Sequence, residues 1–282
     1  MPVISASSSR APDRVIKFLW AFVVCTLLHF VCSRGQAQNS VPAAELVARV
    51  VKNELEDRAH QYKWMYRMEK WDGSQTLTEK VVETKSGPLF RLVAIDGRPL
   101  NAEERQREDA RINHILRDPG PLLKLQRERE EDELKLEKLL RLMPVVFVSD
   151  YDGVDGDLVR VKFRPNPGYS PTTYEARVVH SLSGAMLINV RKERLAKLSG
   201  QLIERVQFGY GLLGRLESGR IDIARVEVGS VQWKTALIDI QVAGHLLLFK
   251  TLSKKQHEVR SDFRTVPDSL TLAEASELLR SD

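Results

Sequence analysis

Closely spaced turn signals constrain this chain more than any other feature. From Val145 to about Phe263, short runs rich in Val, Ile, Leu and Thr are separated by glycine-containing pairs. Antiparallel strands can be joined by tight turns, whereas parallel strands need crossovers of a dozen or more residues. The spacing therefore predicts an antiparallel sheet. Its predicted turns are Asp152-Gly153, Asp155-Gly156, Pro167-Gly168, Ser183-Gly184, Ser199-Gly200, Ser218-Gly219 and Gly229-Ser230.

The spacing of apolar residues changes near position 60. Residues 41–58 are predicted to form a helix, because Pro42 suits a first turn and apolar residues recur three and four positions apart. Beyond it, Tyr62, Trp64 and Tyr66 alternate with Lys63, Met65 and Arg67, which is typical of a half-buried strand. The same alternation over 235–242 predicts a sheet with one apolar face. Residues 246–249 are all apolar and predict a strand covered on both faces.

A strongly charged stretch from Asn101 to Met143 interrupts the strands. Asn101 can cap a helix together with Glu104, and the sequence Asp118-Pro119-Gly120-Pro121 predicts a break into two helices. The almost wholly charged run 127–133 predicts a face exposed to water, and a partner-binding helix is the alternative interpretation.

The first 37 residues have the order of a secretory signal peptide. Basic residues precede an apolar run from Phe18 to Val31, and Gly35-Gln36-Ala37 follows it. The run has 14 residues, whereas a helix that spans a bilayer needs about 20. We therefore expect cleavage after Ala37 and an exported, periplasmic chain, with an uncleaved membrane anchor as the alternative.

Composition argues against several classes of function. The chain has 43 Lys and Arg and 38 Asp and Glu, and the leader contains four of the basic and one of the acidic residues, so no nucleic-acid signature remains. Both cysteines, Cys25 and Cys32, lie in the leader, and the histidines are scattered singly, so neither a zinc site nor any other metal site is expected. The carboxylates between Asp150 and Asp157 lack the spacing of a calcium loop and predict a hairpin turn instead.

One cofactor motif is formally complete. Gly209-Tyr210-Gly211-Leu212-Leu213-Gly214 satisfies the dinucleotide-binding pattern G-x-G-x-x-G, which requires a helix immediately after it. Strand-like alternation resumes instead from Ile221, so no crossover helix fits. The glycines are expected to allow a bend, a bulge or close backbone approach in a sheet, and no cofactor is expected.

Several segments resemble those of exported bacterial outer-membrane lipoprotein-sorting proteins similar to the periplasmic carrier LolA. The resemblance covers about 41–264 and rests on the runs 184–189 and 206–213, on Trp233, and on 247–250 through 261–263. It implies an α+β fold with a strongly curved antiparallel sheet, an open half barrel, whose concave face is covered by helices and can accept acyl chains. The implied organisation is a signal peptide (1–37), a LolA-like domain (38–267) that contains the charged insertion 101–143, and a C-terminal tail (268–282) that can form a short helix.

The expected function is non-enzymatic binding or transport of lipid or lipoprotein acyl chains by a monomer, with an envelope protein as donor or acceptor. An envelope-stress sensor or scaffold of similar fold, acting through protein contacts, is the alternative. No convergent polar constellation indicates a catalytic residue. Aromatic and large apolar residues on the strands are the candidates to line a lipid cavity, and packing of the sheet against its helices is the other interpretation. These candidates are Tyr62, Trp64, Tyr66, Phe90, Leu187, Phe208, Trp233, Leu247 and Phe249.

Overall fold

The computed structural model describes residues 41–59, 62–209, 214–229, 232–246 and 250–281. The signal peptide predicted over 1–37 lies outside these residues, as do Leu247 and Phe249 of the predicted cavity lining. Residues 42–282 form one compact unit. Within the described ranges, no helix is both long enough and apolar enough to cross a bilayer.

The described strands form one large, open antiparallel sheet, so the prediction of an α+β fold with an antiparallel sheet is confirmed. The order across it is β4-β3-β2-β1-β12-β11-β10-β8-β7-β6-β5, and β9 pairs with β10. The first and last strands of the chain are therefore neighbours in its middle. The strands are β1 (Lys63–Trp71), β2 (Thr76–Thr84), β3 (Gly87–Ile95), β4 (Arg98–Pro99), β5 (Phe147–Asp155), β6 (Leu158–Pro165), β7 (Leu182–Asn189), β8 (Arg194–Leu202), β9 (Val206–Phe208), β10 (Gly214–Val228), β11 (Gln232–Leu246) and β12 (Lys250–Val266).

The described helices lie before, between and after the strands. They are α1 (Ala43–Ala59), α2 (Ala102–Arg117), α3 (Gly120–Val146), α4 (Tyr174–His180) and α5 (Leu272–Ser281). The predicted first helix is confirmed, as is the division of the charged insertion into two helices at Pro119. The predicted cap is also confirmed, because Asn101 and Glu104 form a reciprocal capping box at the start of α2.

The structure confirms some of the predicted turns and contradicts others. Asp155 ends β5 and Gly156 begins the turn to β6, and Pro167-Gly168 lies between β6 and β7 as expected, whereas Ser230 lies outside the described residues. The prediction is wrong for Ser183-Gly184, Ser199-Gly200 and Ser218-Gly219, which lie inside β7, β8 and β10. It is also wrong for Asp152-Gly153, where a bulge in β5 places Gly153 at a φ of 136°.

Close backbone approach explains two of the glycines inside the strands, Gly184 and Gly244. A Cβ atom on Gly184 would overlap the carbonyl oxygen of Ser199 and would lie 2.8 Å from the Cα atom of Gly200. A Cβ atom on Gly244 would overlap the carbonyl oxygen of Arg215 in the same way. Close backbone approach therefore occurs at Gly184, where a turn had been expected, and at Gly244, where no turn had been predicted.

The two faces of the sheet carry different helices. We call the face that bears Trp64 and Tyr66 face 1, and the face that bears Met65 and Val82 face 2; the strand registers extend both assignments across the sheet. On face 1, α1 and the C-terminal end of α3 pack in one core with strands β5 to β8. On face 2, α5 contributes Ala275 and Leu279 to a second core with β1, β2 and β3.

Side chains of helix α2 form hydrogen bonds with backbone groups of β3. On the edge away from β2, β3 pairs only with the two residues of β4. Glu108 accepts a hydrogen bond from the backbone N–H of Leu92 at 2.9 Å, and Arg111 donates to the carbonyl oxygen of Phe90 at 2.6 Å. Arg111 also pairs with Glu108, which is buried. Unpaired strand edges invite association with other chains, so the charged insertion covers one vulnerable edge of this sheet.

A buried ion network fixes α1 to the strands. Glu54, only 6% exposed, accepts a hydrogen bond from the N–H of Leu195 and pairs with Arg225 and Arg194. Arg194 also donates to the carbonyl oxygen of Asn53 at 2.8 Å. Burial lowers the pKa of Arg225 to about 10, so its guanidinium still carries its charge beside Glu54 at neutral pH.

Candidate functional site

An aromatic cluster lies on face 1, near the middle of the sheet. Trp64, Tyr66 and Met68 of β1 are each 4% exposed and pack with Val81 of β2. Phe263 of β12 completes the cluster, with its ring centroid 6.4 Å from that of Trp64 and 5.5 Å from that of Tyr66. Phe90 and Val228 pack against the same group. Because β1 and β12 are neighbours, residues about 200 positions apart form one aromatic surface.

Cations lie on these rings. The Lys234 ammonium is 4.8 Å from the centroid of Trp64, and the Arg260 guanidinium is 5.5 Å from that of Tyr66. Lys70 and Arg129 both approach the Phe90 ring, at 5.8 and 5.9 Å. A cation over an aromatic face is attracted by roughly 0.5–2 kcal/mol, depending on exposure. The aromatic cluster is therefore an apolar surface with positively charged groups over its rings.

A cavity of about 210 Å³ adjoins the cluster. It combines acidic residues from α1, β2 and α3 with basic residues from β10, β11 and β12. Its lining is Glu54, Asp57, Tyr62, Glu83, Glu133, Arg225, Gln232, Trp233, Lys234, Thr235 and Arg260. The cavity is therefore strongly charged and not apolar.

Burial perturbs the titration of groups at this site. It raises the pKa of Glu83 above its ordinary value, although Lys234 opposes that change, and it lowers the pKa of Lys234, which Glu83 in turn opposes. It also raises the pKa of Tyr66 to about 12. Burial thus shifts both the Glu83 carboxyl and the Lys234 ammonium toward their neutral forms, and perturbed titration of this kind is frequent at functional sites.

The structure brings together five of the nine residues predicted to line a cavity. Trp64, Tyr66 and Phe90 belong to the aromatic cluster, and Tyr62 and Trp233 line the adjoining cavity. Tyr62 is 56% exposed, so it lies at the rim.

Two of the other predicted lining residues lie elsewhere. Leu187 pairs with Arg160 and Lys197 on face 2, the opposite side of the sheet. Phe208 in β9 makes an edge-to-face contact with Tyr174 of α4, and the two ring centroids are 5.3 Å apart. The remaining two, Leu247 and Phe249, lie outside the described residues.

Helix α3 crosses the site. Leu122 and Gln126, near its start, meet the turn at Gly87 between β2 and β3, whereas Met143 and Val146, at its end, join the core beneath α1. Between these ends, the residues of α3 that face the site are polar: Arg129 contacts the Phe90 ring and Glu133 lines the cavity. The helix is therefore anchored by apolar contacts at its ends and by polar contacts over the aromatic cluster.

Other predicted sites have clear outcomes within the described residues. The strand β10 begins at Gly214 and pairs antiparallel with β11, so the dinucleotide motif is followed by a strand, as expected, and not by a helix. The carboxylates near Asp152 lie on the β5–β6 hairpin, where Lys162 and Arg160 pair with Asp152. In the part of the chain that the structure describes, no group of three or more potential ligand side chains could hold a metal ion.

Two larger concavities, of about 510 and 360 Å³, are open grooves on face 2. Their walls include Lys162, Arg220 and Lys255 beside small residues of β7 and β8. Asp152 pairs with Lys162 and Asp222 pairs with Arg220, so most of these charges are compensated at the surface. Neither groove offers the aromatic surface found on face 1.

The predicted set missed the charged residues of the site. Glu83 could have been found from sequence, because the β1–β2 hairpin register pairs Met65 with Val82 and so places Glu83 beside Trp64. The backbone N–H of Trp64 indeed donates to Glu83 at 3.2 Å. No local signal relates Lys234 or Arg260 to Trp64, because strands distant in sequence bring them together.

Comparisons with known proteins identify no relative: no family model, no curated protein and no solved structure matches the chain.

Replacement of Glu83 with glutamine is expected to stabilise the protein at neutral pH. Because the folded-state pKa is raised, the native state binds more protons than the unfolded state above pH about 4.5, so the Glu83 carboxylate reduces stability as pH rises through that window. Glutamine carries no charge and can still accept the hydrogen bond from Trp64. We expect a gain on the order of 1 kcal/mol at pH 7 and a smaller gain near pH 4, measured by urea unfolding.

The exposed carboxylate of Glu69 on β1 provides the control. Glu69→Gln should give no comparable gain at pH 7. If Glu83→Gln destabilised the protein equally at both pH values, the negative charge of Glu83 would not reduce stability at neutral pH. The prediction would then be wrong.

Proposed function

We propose that this protein is an exported, non-enzymatic binder or carrier of acyl chains from lipids or lipoproteins, acting as a monomer in the cell envelope. In this proposal the sheet is a strongly curved half barrel, and α1 and α3 cover its concave face, which is face 1. Export rests on the order of basic, apolar and small residues in 1–37. An envelope protein donates or receives the cargo.

The observation that carries the proposal is the aromatic cluster beneath the polar middle of α3. Over the cluster, Arg129 makes a cation–π contact worth roughly 0.5–2 kcal/mol and Glu133 has no ion-pair partner within 4.0 Å in the described part of the chain, so exchange of these contacts for water costs little. Burial of a sixteen-carbon chain supplies on the order of 12 kcal/mol, at about 0.8 kcal/mol per methylene. Movement of α3 away from Trp64, Tyr66 and Phe90 would therefore uncover a surface on which an acyl chain can be buried.

Opening is required, because the cavity beside the cluster is too small for a whole lipid. Its volume is about 210 Å³, and pockets that enclose drug-sized ligands run from about 300 to 1,000 Å³. The proposed cycle is passive: α3 moves, acyl chains enter against the aromatic cluster, and a partner that buries them better removes them.

Fixing α3 to the sheet should abolish lipid uptake. Lys70 on β1 and Arg129 on α3 reach the same Phe90 ring, so cysteines at these two positions can be joined by a short cleavable bis-maleimide. In a chain with Cys25 and Cys32 replaced by serine, we expect uptake of fluorescent phosphatidylethanolamine from vesicles to fall at least tenfold on cross-linking and to recover on cleavage.

A cross-link within α3 is the matched control. Lys124 and Glu128 are exposed and lie one turn apart, so a bridge between cysteines at these positions leaves the helix free to move. Uptake that continued unchanged with α3 fixed to β1 would contradict the proposed entry route.

A sensor or scaffold role is the second candidate, favoured by apolar side chains on the surface of α3. Leu123, Leu125, Leu134 and Leu136 are each at least 42% exposed, beside the charged run 127–133. Charge reversal at Glu128, Glu131 and Asp132 should impair a protein contact and spare lipid uptake. Glu133 is left unchanged in that variant, because it lines the cavity.

A further inference from the structure

Most charges around the face 1 cavity are paired, and three are not. Arg225 pairs with Glu54, Arg260 with Glu258, and Asp57 with Arg194. Among the described residues, Lys234, Glu83 and Glu133 have no opposite charge within 4.0 Å. Glu83 and Lys234 attract each other only from beyond that distance, so the cavity presents one cation and two carboxylates without a direct ion-pair partner within the described ranges.

The size of the cavity limits its occupant. A volume of about 210 Å³ corresponds to roughly seven water molecules at about 30 Å³ each, and so to a compact group of similar size. A sixteen-carbon chain does not fit in that space, whereas a compact polar group does. The aromatic cluster lies directly beside the cavity, because Lys234 and Arg260 belong to both.

We infer that this cavity binds the zwitterionic head group of the amphiphile whose acyl chains the aromatic cluster receives, an inference that rests on the proposed function. The phosphate lies at Lys234 and Arg260, and a primary ammonium lies at Glu83 and Glu133. Phosphoethanolamine, with about eight non-hydrogen atoms, has the required charges and size.

The charges that line the cavity favour a zwitterionic ligand over a simple anion or cation. A phosphate alone would compensate Lys234 but leave two carboxylates facing a further anion, and an ammonium alone would leave Lys234 facing a further cation. Like charges brought together in a partly buried site repel, whereas hydrogen bonds between charged partners are about twice as strong as neutral ones. The buried indole Nε1 of Trp64, which lacks a hydrogen-bond partner among the described groups, is one more donor beside Lys234.

Calorimetry with soluble probes tests the site without any membrane. The full chain should bind O-phosphoethanolamine at least tenfold more tightly than inorganic phosphate or ethanolamine. Lys234→Met and Glu83→Gln should each weaken that binding at least tenfold, and Lys197→Met, an exposed change on face 2, should not. The inference is overturned if neither variant weakens binding, if phosphate binds as tightly as phosphoethanolamine, or if no probe binds.

Vesicles separate this inference from the proposed function. Phosphatidylethanolamine, phosphatidylglycerol and diacylglycerol with identical acyl chains are offered together, and the lipids taken up are quantified. We expect phosphatidylethanolamine to be taken up preferentially. Loss of that preference in Lys234→Met, with diacylglycerol uptake unchanged, would support both the head-group site and the carrier function. Equal uptake of all three overturns the head-group site and leaves the carrier function standing. Probe binding without any lipid uptake overturns the carrier function and leaves the site standing.

Discussion

Replacement of Glu54 with alanine is expected to lower the free energy of unfolding by about 3–5 kcal/mol, the range measured when one partner of a buried ion pair is removed. Alanine would leave Arg194 and Arg225 without their shared carboxylate, and the N–H of Leu195 without its acceptor. Natural domains are stable by only about 5–15 kcal/mol, so this change removes a large fraction of the total. Urea unfolding monitored by tryptophan fluorescence would measure it.

Two further variants keep this prediction testable if the alanine variant does not fold. Glu54→Gln retains the volume of the side chain and an acceptor for Leu195, so we expect a smaller loss. Glu56→Gln alters a carboxylate that is 61% exposed on the same helix, and it should change stability by less than about 0.5 kcal/mol. Equal effects at positions 54 and 56 would contradict the assignment of Glu54 as the anchor of α1.

Gly184→Ala is expected to destabilise the protein by about 3 kcal/mol or more, at or above the upper end of the usual range for overpacking. The added methyl group would overlap the Ser199 carbonyl oxygen and lie 2.9 Å from the Cζ atom of Phe163. The nearest obstruction is backbone of the paired strand β8, which cannot move without breaking the ladder between β7 and β8. Thermal and urea unfolding would both report the loss.

Gly168→Ala is the matched control for this prediction. The nearest atom to a Cβ at Gly168 is the side-chain oxygen of Asn166 at 3.4 Å, and the position lies in a surface turn. Its effect should stay within about 0.5 kcal/mol. A Gly184→Ala protein as stable as the Gly168→Ala protein would show that β7 and β8 do not approach as closely as described.

Local signals in the sequence predicted the local structure. The Asn101–Glu104 capping box, the break at Pro119 and the stripe of α1 each depend on residues within a few positions of one another. The Ser-Gly pairs were misinterpreted because a turn and a close strand contact both favour glycine, and only the partner strand distinguishes them. Gly184 is needed because of Ser199 and Phe163, which no spacing rule relates to it.

The candidate site also contains residues that local signals predict and residues that only distant strand pairing brings together. Alternation along β1 predicted Trp64 and Tyr66, and hairpin register could have added Glu83. Lys234 and Arg260 could not have been assigned, because they reach Trp64 and Tyr66 through the pairing of β1 with β12 and of β12 with β11. Leu187 was predicted from its size alone, whereas its register places it on face 2.

The central claim is that acyl chains bind against the aromatic cluster when α3 moves. Organic extraction of the purified full chain after exposure to phospholipid vesicles, followed by mass spectrometry, measures this most directly. We predict diacyl lipid in a roughly stoichiometric amount, and much less when α3 is cross-linked to β1. A chain that yields no acyl lipid under either condition would contradict the account.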